Sequence, residues 1–497
     1  MATFTPSKYQ QSVYNHISNG SGNAVIDAVA GSGKSTTIVE ALKLIPATFS
    51  VLFLAFNKAI VEELKQKIGN IANVEIRTLH SLGMSAMQKT YKNFTVEANK
   101  YRNYVNDAFK FGALKPTMEL VEEEQQTYKQ NIIKLTDLCR VNLCADLTAL
   151  ELIADKYEVA LLDNECEMAL NVVNWGKNEL NIVDFTDMVY FPNIKKLQMT
   201  QFDYVFIDEC QDLNACQREL FLKAMKPNGR FVAVGDPRQA IYGFAGADVE
   251  SFNILKSLPN TILLPLSVCY RCDASIIELA KEIVPQIEAK DLAPQGEVKH
   301  DCKLSEIADG DMILCRVNAP LVALCMKYIA DGVKAYVKGK DVGANLINMI
   351  VKTKCRKISD AIVKIEREGA KIVAKIVRKQ HCSEADAKQE SIYTSFLDKL
   401  TAIEVLSANL EMADAVCRRI ESIFKDNDYS GICLSSVHKA KGLESNNVYI
   451  LLPEKFYNKY AMKIPWMAEQ ETNLVYVAYT RAKHKLGFIA EGEFQMK

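Results

Sequence analysis

A glycine-rich segment at residues 28–35 combines the residue types that bind nucleotide phosphates. It reads AVAGSGKS, follows a short apolar run and precedes a helical pattern. Gly31 and Gly33 let backbone N–H groups curve around phosphate oxygens at the start of a helix, where the peptide dipoles favour negative charge. Lys34 supplies positive charge to the terminal phosphates, and Ser35 supplies a hydroxyl ligand for Mg²⁺. The spacing therefore predicts a phosphate-binding loop.

Two carboxylates follow a second apolar run. The run Val205–Asp208 ends in an aspartate, and Glu209 comes next. At the end of a buried strand beside the phosphate loop, Asp208 can bind Mg²⁺ and Glu209 can take a proton from the attacking water. The acidic residues 122–124 follow no such run and fit a solvated turn. The two motifs together predict nucleotide hydrolysis, but they leave open what that hydrolysis drives.

The elements that must position these residues are read from the hydrophobic pattern. Short runs rich in Val, Ile and Phe recur between helical patterns, and several are almost wholly apolar. Such runs are typical of strands that are buried on both faces of a parallel sheet. The predicted strands are Ala24–Asp27, Val51–Phe56, Val74–Thr78, Val205–Asp208, Phe231–Gly235, Ile262–Leu266, Met312–Arg316, Ile432–Ser435 and Val448–Leu452.

Two long stretches lack these runs and carry helical periodicity instead, from Ser85 to about Leu180 and from Leu346 to about Phe424. The fold prediction is therefore an α/β protein with two parallel-sheet domains, each carrying a mainly helical insertion. The predicted segments are 1–84 and 181–258 for the first domain, 85–180 for its insertion, 259–345 and 429–497 for the second domain, and 346–428 for a basic helical insertion.

Composition sets wide limits on function. The chain has 497 residues, enough for two to four domains at about 100–200 residues each. Lys and Arg number 60 against 61 Asp and Glu, which excludes a globally basic nucleic-acid coat but allows a local basic channel. The chain shows no secretion pattern and no apolar run long enough to cross a bilayer. We expect a cytoplasmic protein, associated with the nucleoid or, for a phage protein, found in the host cytoplasm.

The segments after the first two motifs indicate what the nucleotide drives. Residues 208–212 read DECQD, 234–244 read VGDPRQAIYGF, 436–444 read SVHKAKGLE and 474–482 read LVYVAYTRA, and Tyr270-Arg271 lies between them. In this order and spacing the set closely resembles the UvrD/Rep type of superfamily-1 helicase, from about Tyr9 to Lys485. The resemblance implies two RecA-like P-loop domains with ATP and Mg²⁺ bound in the cleft between them.

The resemblance also implies how ATP is held. Gln10 matches the glutamine that recognises adenine, with the adjacent Gln11 as the alternative, and Tyr270 matches the aromatic residue that stacks on the base. Glu444 matches a residue that contacts the nucleotide from the second domain. The implied ATP-binding set is Gln10, Ala30, Gly31, Ser32, Gly33, Lys34, Ser35, Thr36, Tyr270, Gly442 and Glu444, with Ser35 and Asp208 on Mg²⁺.

Three further positions match groups that act on the γ-phosphate. Gln239 matches the γ-phosphate sensor, and Arg271 and Arg481 match two arginine fingers. An arginine that reaches the transferred group can raise the rate by about 10³–10⁵. Fingers from a second domain would make hydrolysis depend on closure of the cleft. Loss of the γ-phosphate would then weaken that closure, which couples hydrolysis to domain movement. The implied catalytic set is Lys34, Asp208, Glu209, Gln239, Arg271 and Arg481.

Strand binding is implied across both domains. Aromatic side chains stack on any base, so this surface should tolerate any sequence. Three aromatic residues match base-contacting positions, and the polar residues match positions that contact the backbone or lie in the corresponding motifs. The implied DNA-binding set is Phe56, Asn57, Thr78, His80, Tyr242, Phe244, Ser436 and His438.

The sequence departs from the family pattern at three places. Ala245 stands where the family often has an arginine, so one strand or coupling contact is in doubt. Cys269 stands where an asparagine usually precedes the Tyr-Arg pair. The segment around Phe56 is one residue shorter than the commonest form. None of these changes affects the hydrolytic residues.

Residues 351–380 carry ten basic side chains against three acidic ones. Five of the basic residues recur at spacings of three or four and so share one helix face. That face fits either a helix that grips duplex phosphates or an ordinary solvated surface, and the sequence leaves both open. The five residues are Lys364, Arg367, Lys371, Lys375 and Arg378.

We therefore expect an ATP-dependent helicase that moves along single-stranded DNA, 3′ to 5′ by resemblance, and unwinds duplex in replication, repair or recombination. The alternative is an ATPase that remodels or strips protein–DNA complexes with little unwinding. A non-catalytic DNA-binding protein has no reason to keep all the hydrolytic residues. The sequence leaves open whether the bound strand is DNA or RNA, because no residue in it is specific for a 2′-hydroxyl. The expected partners are single-stranded DNA, strand–duplex junctions and replication or repair proteins, with a monomer as the default.

Overall fold

The computed structural model describes residues 5–494, except 70, 72, 244–249, 381, 427–429 and 458–460. Its contacts divide the chain into two compact units. Unit 1 comprises Met1–Val29 and Gly33–Ser267, and unit 2 comprises Ala30–Ser32 and Val268–Lys497. Among the described residues, no helix is both long and apolar enough to span a membrane.

Unit 1 contains a six-stranded sheet in which every pair of neighbouring strands is parallel. Its strands are β1 (Asn23–Ala28), β2 (Val51–Ala55), β3 (Val74–Thr78), β6 (Phe202–Ile207), β7 (Met225–Gly235) and β8 (Thr261–Leu266), and a separate short pair is formed by β4 (Thr95–Val96) and β5 (Ile182–Val183). The spatial order is β3-β2-β6-β7-β1-β8. The carboxyl ends of these strands therefore lie at one edge of the sheet, where ligands bind in open α/β sheets.

Helices cover both faces of this sheet, which is why β2 is wholly apolar and wholly buried. On one face Phe53 packs with residues of α1, α2 and α3, and on the other Leu52 and Leu54 pack with residues of the later helices. The helices are α1 (Lys8–Asn19), α2 (Lys34–Lys43), α3 (Lys58–Ile68), α4 (Leu79–Thr90), α5 (Lys100–Lys110), α6 (Glu122–Val141), α7 (Leu147–Lys156), α8 (Glu165–Asn178), α9 (Phe185–Ile194), α10 (Ala215–Lys223) and α11 (Ser251–Ser257).

A buried cluster of charged side chains links α5 and α6 to α9. Asp187 accepts hydrogen bonds from Lys100 Nζ at 2.8 Å, Tyr101 Oη at 2.7 Å and Arg140 at 3.0 Å. Arg140 also pairs with Asp184 at 2.8 Å and stacks over the Tyr101 ring. Each charge in the cluster has a partner, as burial away from water requires. The cluster therefore fixes the helical segment against the first turn of α9.

Unit 2 contains a seven-stranded sheet, again with parallel neighbours throughout. Its strands are β11 (Glu297–Lys299), β12 (Met312–Cys315), β13 (Ala335–Lys338), β14 (Phe424–Lys425), β15 (Ile432–Ser436), β16 (Ser445–Leu451) and β17 (Ala482–Ile489), and β9 (Val268–Cys269) pairs with β10 (Glu288–Ala289). The spatial order of the large sheet is β11-β17-β16-β12-β15-β13-β14.

The helices of unit 2 include a long basic one. They are α12 (Ala274–Ala280), α13 (Ala319–Ala330), α14 (Lys340–Lys352), α15 (Ile358–Gln380), α16 (Glu384–Ala387), α17 (Ser391–Leu406), α18 (Ala413–Ile423), α19 (Val437–Ala440) and α20 (Pro465–Tyr479). In α15, Ile365, Val373 and Ile376 are buried, while Lys371 and Arg378 are exposed. The helix is therefore amphipathic, with basic residues on its solvent side.

The predicted fold class, α/β with two parallel-sheet domains, is confirmed. Each of the nine predicted strands corresponds to an observed strand. The two units, however, divide after Ser267 rather than after residue 258. The reason is that β8, which the sequence prediction gave to the second domain, pairs with β1 in the sheet of unit 1.

The buried cluster predicts a large effect on stability. Arg140 has no exposed side-chain surface, so Arg140→Met leaves Asp184 and Asp187 short of a buried cation. We expect unit 1 to lose about 3–5 kcal/mol of unfolding free energy.

Urea unfolding can be followed through the fluorescence of Trp175, whose ring centroid lies 5.7 Å from Lys100 Nζ, in a Trp466→Phe background. The control is Lys67→Met, which breaks an exposed pair with Glu63 in the same unit and should leave stability unchanged. Equal effects of the two substitutions would contradict the prediction.

Candidate functional site

The phosphate loop connects the end of β1 to the start of α2. Gly31 and Gly33 have φ values of 66° and 77°, in the left-handed region where glycine carries no Cβ penalty. Gly33 occupies the N-cap of α2, so Lys34 and Ser35 form the first turn of that helix. Ser35 is half-buried and Thr36 is exposed. The loop thus has the conformation that exposes backbone N–H groups at a helix N-terminus.

The loop lysine is held by carboxylates at the ends of neighbouring strands. Lys34 Nζ lies 3.0 Å from Glu209 Oε1, at the end of β6. Burial alone would lower the pKa of Lys34, but the charges of Glu209, Asp208 and Asp236 outweigh it and raise that pKa. Lys34 is therefore held as a cation and directed at the carboxyl edge of the sheet.

The two carboxylates after β6 differ in environment. Asp208 is buried, and its Oδ1 accepts the backbone N–H of Glu209 at 2.9 Å. Glu209 is partly exposed and adopts a left-handed backbone conformation, with φ 52° and ψ 42°. A non-glycine residue in this region costs about 1–2 kcal/mol. The strained turn directs the Glu209 carboxylate towards Lys34.

The next strand along the sheet adds a buried acid and a glutamine. Asp236 follows β7 and accepts hydrogen bonds from Arg238 N at 3.0 Å and from the Gln239 side chain. Burial raises the pKa of Asp236 to about 6, although the charge of Lys34 acts to lower it. Gln239, the predicted γ-phosphate sensor, is itself buried. The structure therefore places Gln239 on a segment fixed by Asp236.

Gln10 and Gln11, the alternatives for adenine recognition, have different surroundings. Gln10 is buried, caps α1 together with Ser7, and donates from Nε2 to Thr37 Oγ1 at 3.0 Å. Thr37 Oγ1 in turn donates to the Gly33 carbonyl. Gln11 is exposed and donates to Asn15 on its own helix. Gln10 is thus the one of the two that is tied to the phosphate-loop helix.

The tip of the loop, Ala30–Ser32, belongs by its contacts to unit 2. The Ala30 N–H donates to Tyr476 Oη at 2.8 Å, and the Gly31 carbonyl accepts the N–H of Tyr270 at 2.8 Å. The Ser32 hydroxyl is buried and has no hydrogen-bond partner among the described residues. A buried hydroxyl without a partner is costly, and a phosphate oxygen on this loop would satisfy it.

In unit 2, Arg271 and Glu444, both predicted to act on the nucleotide, are paired with each other. Arg271 Nε lies 2.7 Å from Glu444 Oε2, and Arg271 also donates to the Thr480 carbonyl at 3.0 Å. Burial would raise the pKa of Glu444, but Lys483 and Arg271 lower it. Tyr270 is 40% exposed, which leaves ring surface for stacking, and Gly442 has a φ of 86°.

Arg481, the second predicted finger, is almost fully buried. Its guanidinium donates to the carbonyls of Val477 at 2.9 Å and Leu443 at 3.0 Å, and to Thr480 Oγ1 at 3.2 Å. In this structure Arg481 therefore holds the end of α20 against the segment that carries Glu444.

The predicted strand-contact residues of unit 1 lie at the same edge as the nucleotide residues. Phe56 follows β2 and is 47% exposed. Asn57 and Thr78 cap α3 and α4 through their side-chain oxygens, so they define where these helices begin. His80 is half-buried, and burial lowers its pKa although Asp184 acts in the opposite direction.

Tyr242 is half-buried, and burial raises its pKa to about 12. Phe244 and the departure at Ala245 lie outside the residues that the structure describes. The edge therefore presents an exposed aromatic ring at Phe56 and a partly covered one at Tyr242.

In unit 2, Ser436 ends β15 and is buried at the start of α19. His438 is half-buried, and burial, Arg316 and Lys439 together lower its pKa to about 3. Arg316 directly follows β12 and forms a bidentate pair with Glu471 at 2.6–3.2 Å. The sequence analysis did not single out Arg316, although it placed this arginine at the end of a predicted strand.

The residues present fit a nucleotide with Mg²⁺. Among the described residues, no group of three or more His, Cys, Asp or Glu side chains forms a metal site. Ser35 in the first turn of α2 and Asp208 after β6 would offer one hydroxyl and one carboxylate, and the Ser32 hydroxyl is unpartnered among the described residues. Mg²⁺ at phosphates is commonly held by one or two protein oxygens together with phosphate oxygens and water.

Comparison with known proteins gives two family matches. The UvrD/REP helicase N-terminal domain matches residues 8–259, and the UvrD-like helicase C-terminal domain matches residues 370–492.

Similar proteins carry helicase names. The chain is 24% identical to the ATP-dependent DNA helicase Rep of Buchnera aphidicola subsp. Baizongia pistaciae, over 54% of this chain and 42% of that protein. It is 22% identical to the Rep helicase of Escherichia coli, over 53% of this chain and 41% of that protein. It is 24% identical to F-box DNA helicase protein 1 of Schizosaccharomyces pombe, over 93% of this chain and 55% of that protein. The chain thus spans about half the length of these relatives.

The lowered pKa of His438 predicts a pH-dependent stability of unit 2. A histidine with pKa near 6.5 when unfolded and about 3 when folded stabilises the fold above pH 6.5, and this contribution is lost as pH falls. Between pH 7 and pH 5 we expect a loss of about 2 kcal/mol from this residue. His438→Gln should remove that part of the pH dependence. Urea unfolding followed through Trp466 in a Trp175→Phe background measures it. Parallel pH profiles for the parent and His438→Gln would contradict the prediction.

Proposed function

Because the chain belongs to the UvrD/REP helicase family, we propose that it is an ATP-dependent helicase that moves along single-stranded DNA from 3′ to 5′ and unwinds duplex. The observation that carries the proposal is the Lys34–Glu209 pair, 3.0 Å long, between the phosphate loop and the end of β6. Asp208 directly follows β6, and Asp236 and Gln239 follow the neighbouring strand β7. This is the donor and acceptor set that phosphoryl transfer to water needs.

The proposed chemistry gives separate tasks to the phosphate loop and to the carboxylates that follow β6. The loop N–H groups and Lys34 hold the phosphates, and Ser35 and Asp208 would hold Mg²⁺, which would supply positive charge to the terminal phosphates. Glu209 takes a proton from water as the water oxygen bonds to the γ-phosphorus. The bond from the γ-phosphorus to the bridging oxygen breaks, and ADP and phosphate leave. By family resemblance, Arg271 and Arg481 are the residues that would add positive charge to the transferred group.

Strand binding in this proposal uses the same edge of the unit 1 sheet. Phe56 and Tyr242 provide ring faces for bases, at about 1–3 kcal/mol per stacked base. Thr78 and His80 begin α4, and a helix N-terminus suits a phosphate of the strand backbone. Because β2, β3, β6 and β7 end at one edge, a change at the nucleotide can reach the strand through the sheet.

Substitution of the two central residues tests the hydrolytic assignment. We expect Lys34→Ala to abolish ATP turnover, because the terminal phosphates lose their charge partner. We expect Glu209→Gln to lower kcat by about 10²–10⁴ with ATP binding retained, because glutamine keeps the shape but cannot take the proton. Steady-state ATPase assays with saturating single-stranded DNA measure both effects.

The matched control is Lys43→Ala on the same helix as Lys34, where Lys43 forms an exposed pair with Glu40. It should keep full activity. Unwinding of 3′-tailed and 5′-tailed duplexes separates the remaining possibilities. Hydrolysis that ignores single strands would contradict the motor, and a preference for 5′ tails would contradict the polarity. Protein displacement without unwinding would favour the remodelling ATPase, and equal activity on RNA would widen the substrate.

The basic face of α15 gives a separate prediction about duplex binding. Lys371 and Arg378 are exposed, and Lys375 lies between them on the same face. If this face contacts duplex phosphates, the triple substitution to Glu should weaken binding of a tailed duplex. The slope of log K against log salt should fall by about 0.9 for each phosphate that is no longer neutralised. Fluorescence anisotropy across a salt series measures both quantities.

The control for this experiment is a triple Glu substitution at Lys303, Lys327 and Lys334, which are exposed residues of unit 2 outside α15. It changes the net charge by the same amount and should weaken binding less. Equal effects of the two triple variants would mean that the lost affinity reflects the change in net charge and not a contact at α15. Unchanged affinity of the α15 variant at low salt would contradict the duplex contact.

A further inference from the structure

The Glu209 carboxylate is held at both of its oxygens. Lys34 Nζ lies 3.0 Å from Oε1, and Gln211 Nε2 donates to Oε2. Gln211 is 1% exposed, on the short turn of 3₁₀-helix Cys210–Asp212 that follows Glu209. The family resemblance gave Gln211 no role, although it lies inside the DECQD motif.

The other end of the Gln211 amide reaches the neighbouring strand. Its Oε1 accepts the backbone N–H of Asp236 at 3.1 Å. A Cβ at Gly235 would overlap Gln211 Oε1 and come within 2.8 Å of Cys210 Sγ. Glycine at the end of β7 therefore gives the amide the space to approach the backbone.

The two neighbours fix the orientation of this amide. A backbone N–H can only donate, so it must face the amide oxygen, and a carboxylate can only accept, so it must face the amide nitrogen. Glutamine offers both groups on one rigid plane. Hydrogen bonds to a charged group are also stronger than neutral ones. The arrangement therefore determines the angle at which the Glu209 carboxylate is presented.

Asp236 continues the connection to Gln239. Its side chain accepts from Gln239 Nε2 and from Arg238 N. A continuous set of hydrogen bonds thus runs from Lys34 through Glu209, Gln211 and Asp236 to Gln239, entirely within unit 1. Asp236 and Gln211 are both almost fully buried, so water competes little for these bonds.

We propose that Gln211 is a positioning residue that couples Gln239 to Glu209, so that the general base is aligned only while Gln239 is engaged by a γ-phosphate. This inference rests on the proposed function, since it assumes that Glu209 takes the proton and that Gln239 contacts the γ-phosphate. A shift of Gln239 moves the Asp236 segment, the Asp236 N–H carries Gln211 Oε1 with it, and the amide turns the carboxylate away from the water.

Two substitutions separate the halves of this connection. Gln211→Glu keeps an oxygen that can accept the Asp236 N–H but loses the donor to Glu209. Gln211→Met keeps the side-chain length and volume and loses both bonds. Gln217→Met is the control, because Gln217 accepts from Asn214 N at 3.1 Å in the N-terminal cap of α10.

ATP turnover of the full chain with single-stranded DNA gives the main readout. We expect both Gln211 variants to lower kcat about ten- to hundredfold with the KM for ATP unchanged, and Gln217→Met to leave both unchanged. The acid limb of the pH–rate profile should move to higher pH in the Gln211 variants, because the carboxylate has lost a donor. A role limited to folding would not move this profile.

Combination with Gln239→Ala tests the coupling directly. If Gln211 acts with Gln239, the loss of activity in the double variant should be smaller than the product of the single losses. Full activity of Gln211→Glu with an unshifted pH profile would overturn the inference, and so would strictly multiplicative losses of activity in the double variant.

Should Gln211→Met fail to fold, the result for Gln211→Glu alone decides. A parent protein that hydrolyses no ATP would instead refute the proposed function, whereas an active parent with unaffected Gln211 variants would refute this inference alone.

Discussion

Charge balance at the carboxyl edge of the unit 1 sheet is the constraint on which the site depends. Asp208 and Asp236 are buried and Glu209 is partly buried, and all three carboxylates act on the ammonium of Lys34. Burial of carboxylates is costly unless a cation or hydrogen-bond donors compensate for it. The residual cost is visible at Asp236, whose pKa burial raises to about 6 despite the nearby lysine. The phosphate loop and the ends of β6 and β7 must therefore stay in register.

A parallel sheet covered on both faces meets this requirement. Its strands end together, and the backbone ladders fix the spacing between those ends. Because these strands are buried on both faces, their residues are almost wholly apolar, as in Val51–Phe56 and Val205–Asp208. The strands could therefore be predicted from the sequence. The strand β17 was not predicted, since Lys483, His484 and Lys485 interrupt its apolar pattern. The run Ile262–Leu266 was predicted as a strand, but an apolar run does not reveal which sheet it joins.

The site shows the same division between local and long-range information. The phosphate loop, the acidic strand end and Gln239 could be found because each is a compact sequence motif. The contacts of Gln211, Asp236 and Arg316 could not be predicted, because they join segments far apart in the chain. Arg140 and Asp187 likewise give no local signal, since each looks like a polar residue on a helix. Sequence patterns thus single out candidate residues, and only the fold shows which side chains hold them in place.

The left-handed backbone at Glu209 has a consequence for how this protein can vary. At φ 52° and ψ 42° the backbone of residue 209 would favour glycine, because glycine adopts this region without steric cost. The carboxylate that the site needs is therefore located where the main chain least tolerates a side chain. The backbone strain at residue 209 and the contacts that its carboxylate makes therefore act in opposite directions at this one position. A glycine there would relieve the backbone strain, but it would remove the carboxylate that pairs with Lys34 and that we propose as the general base.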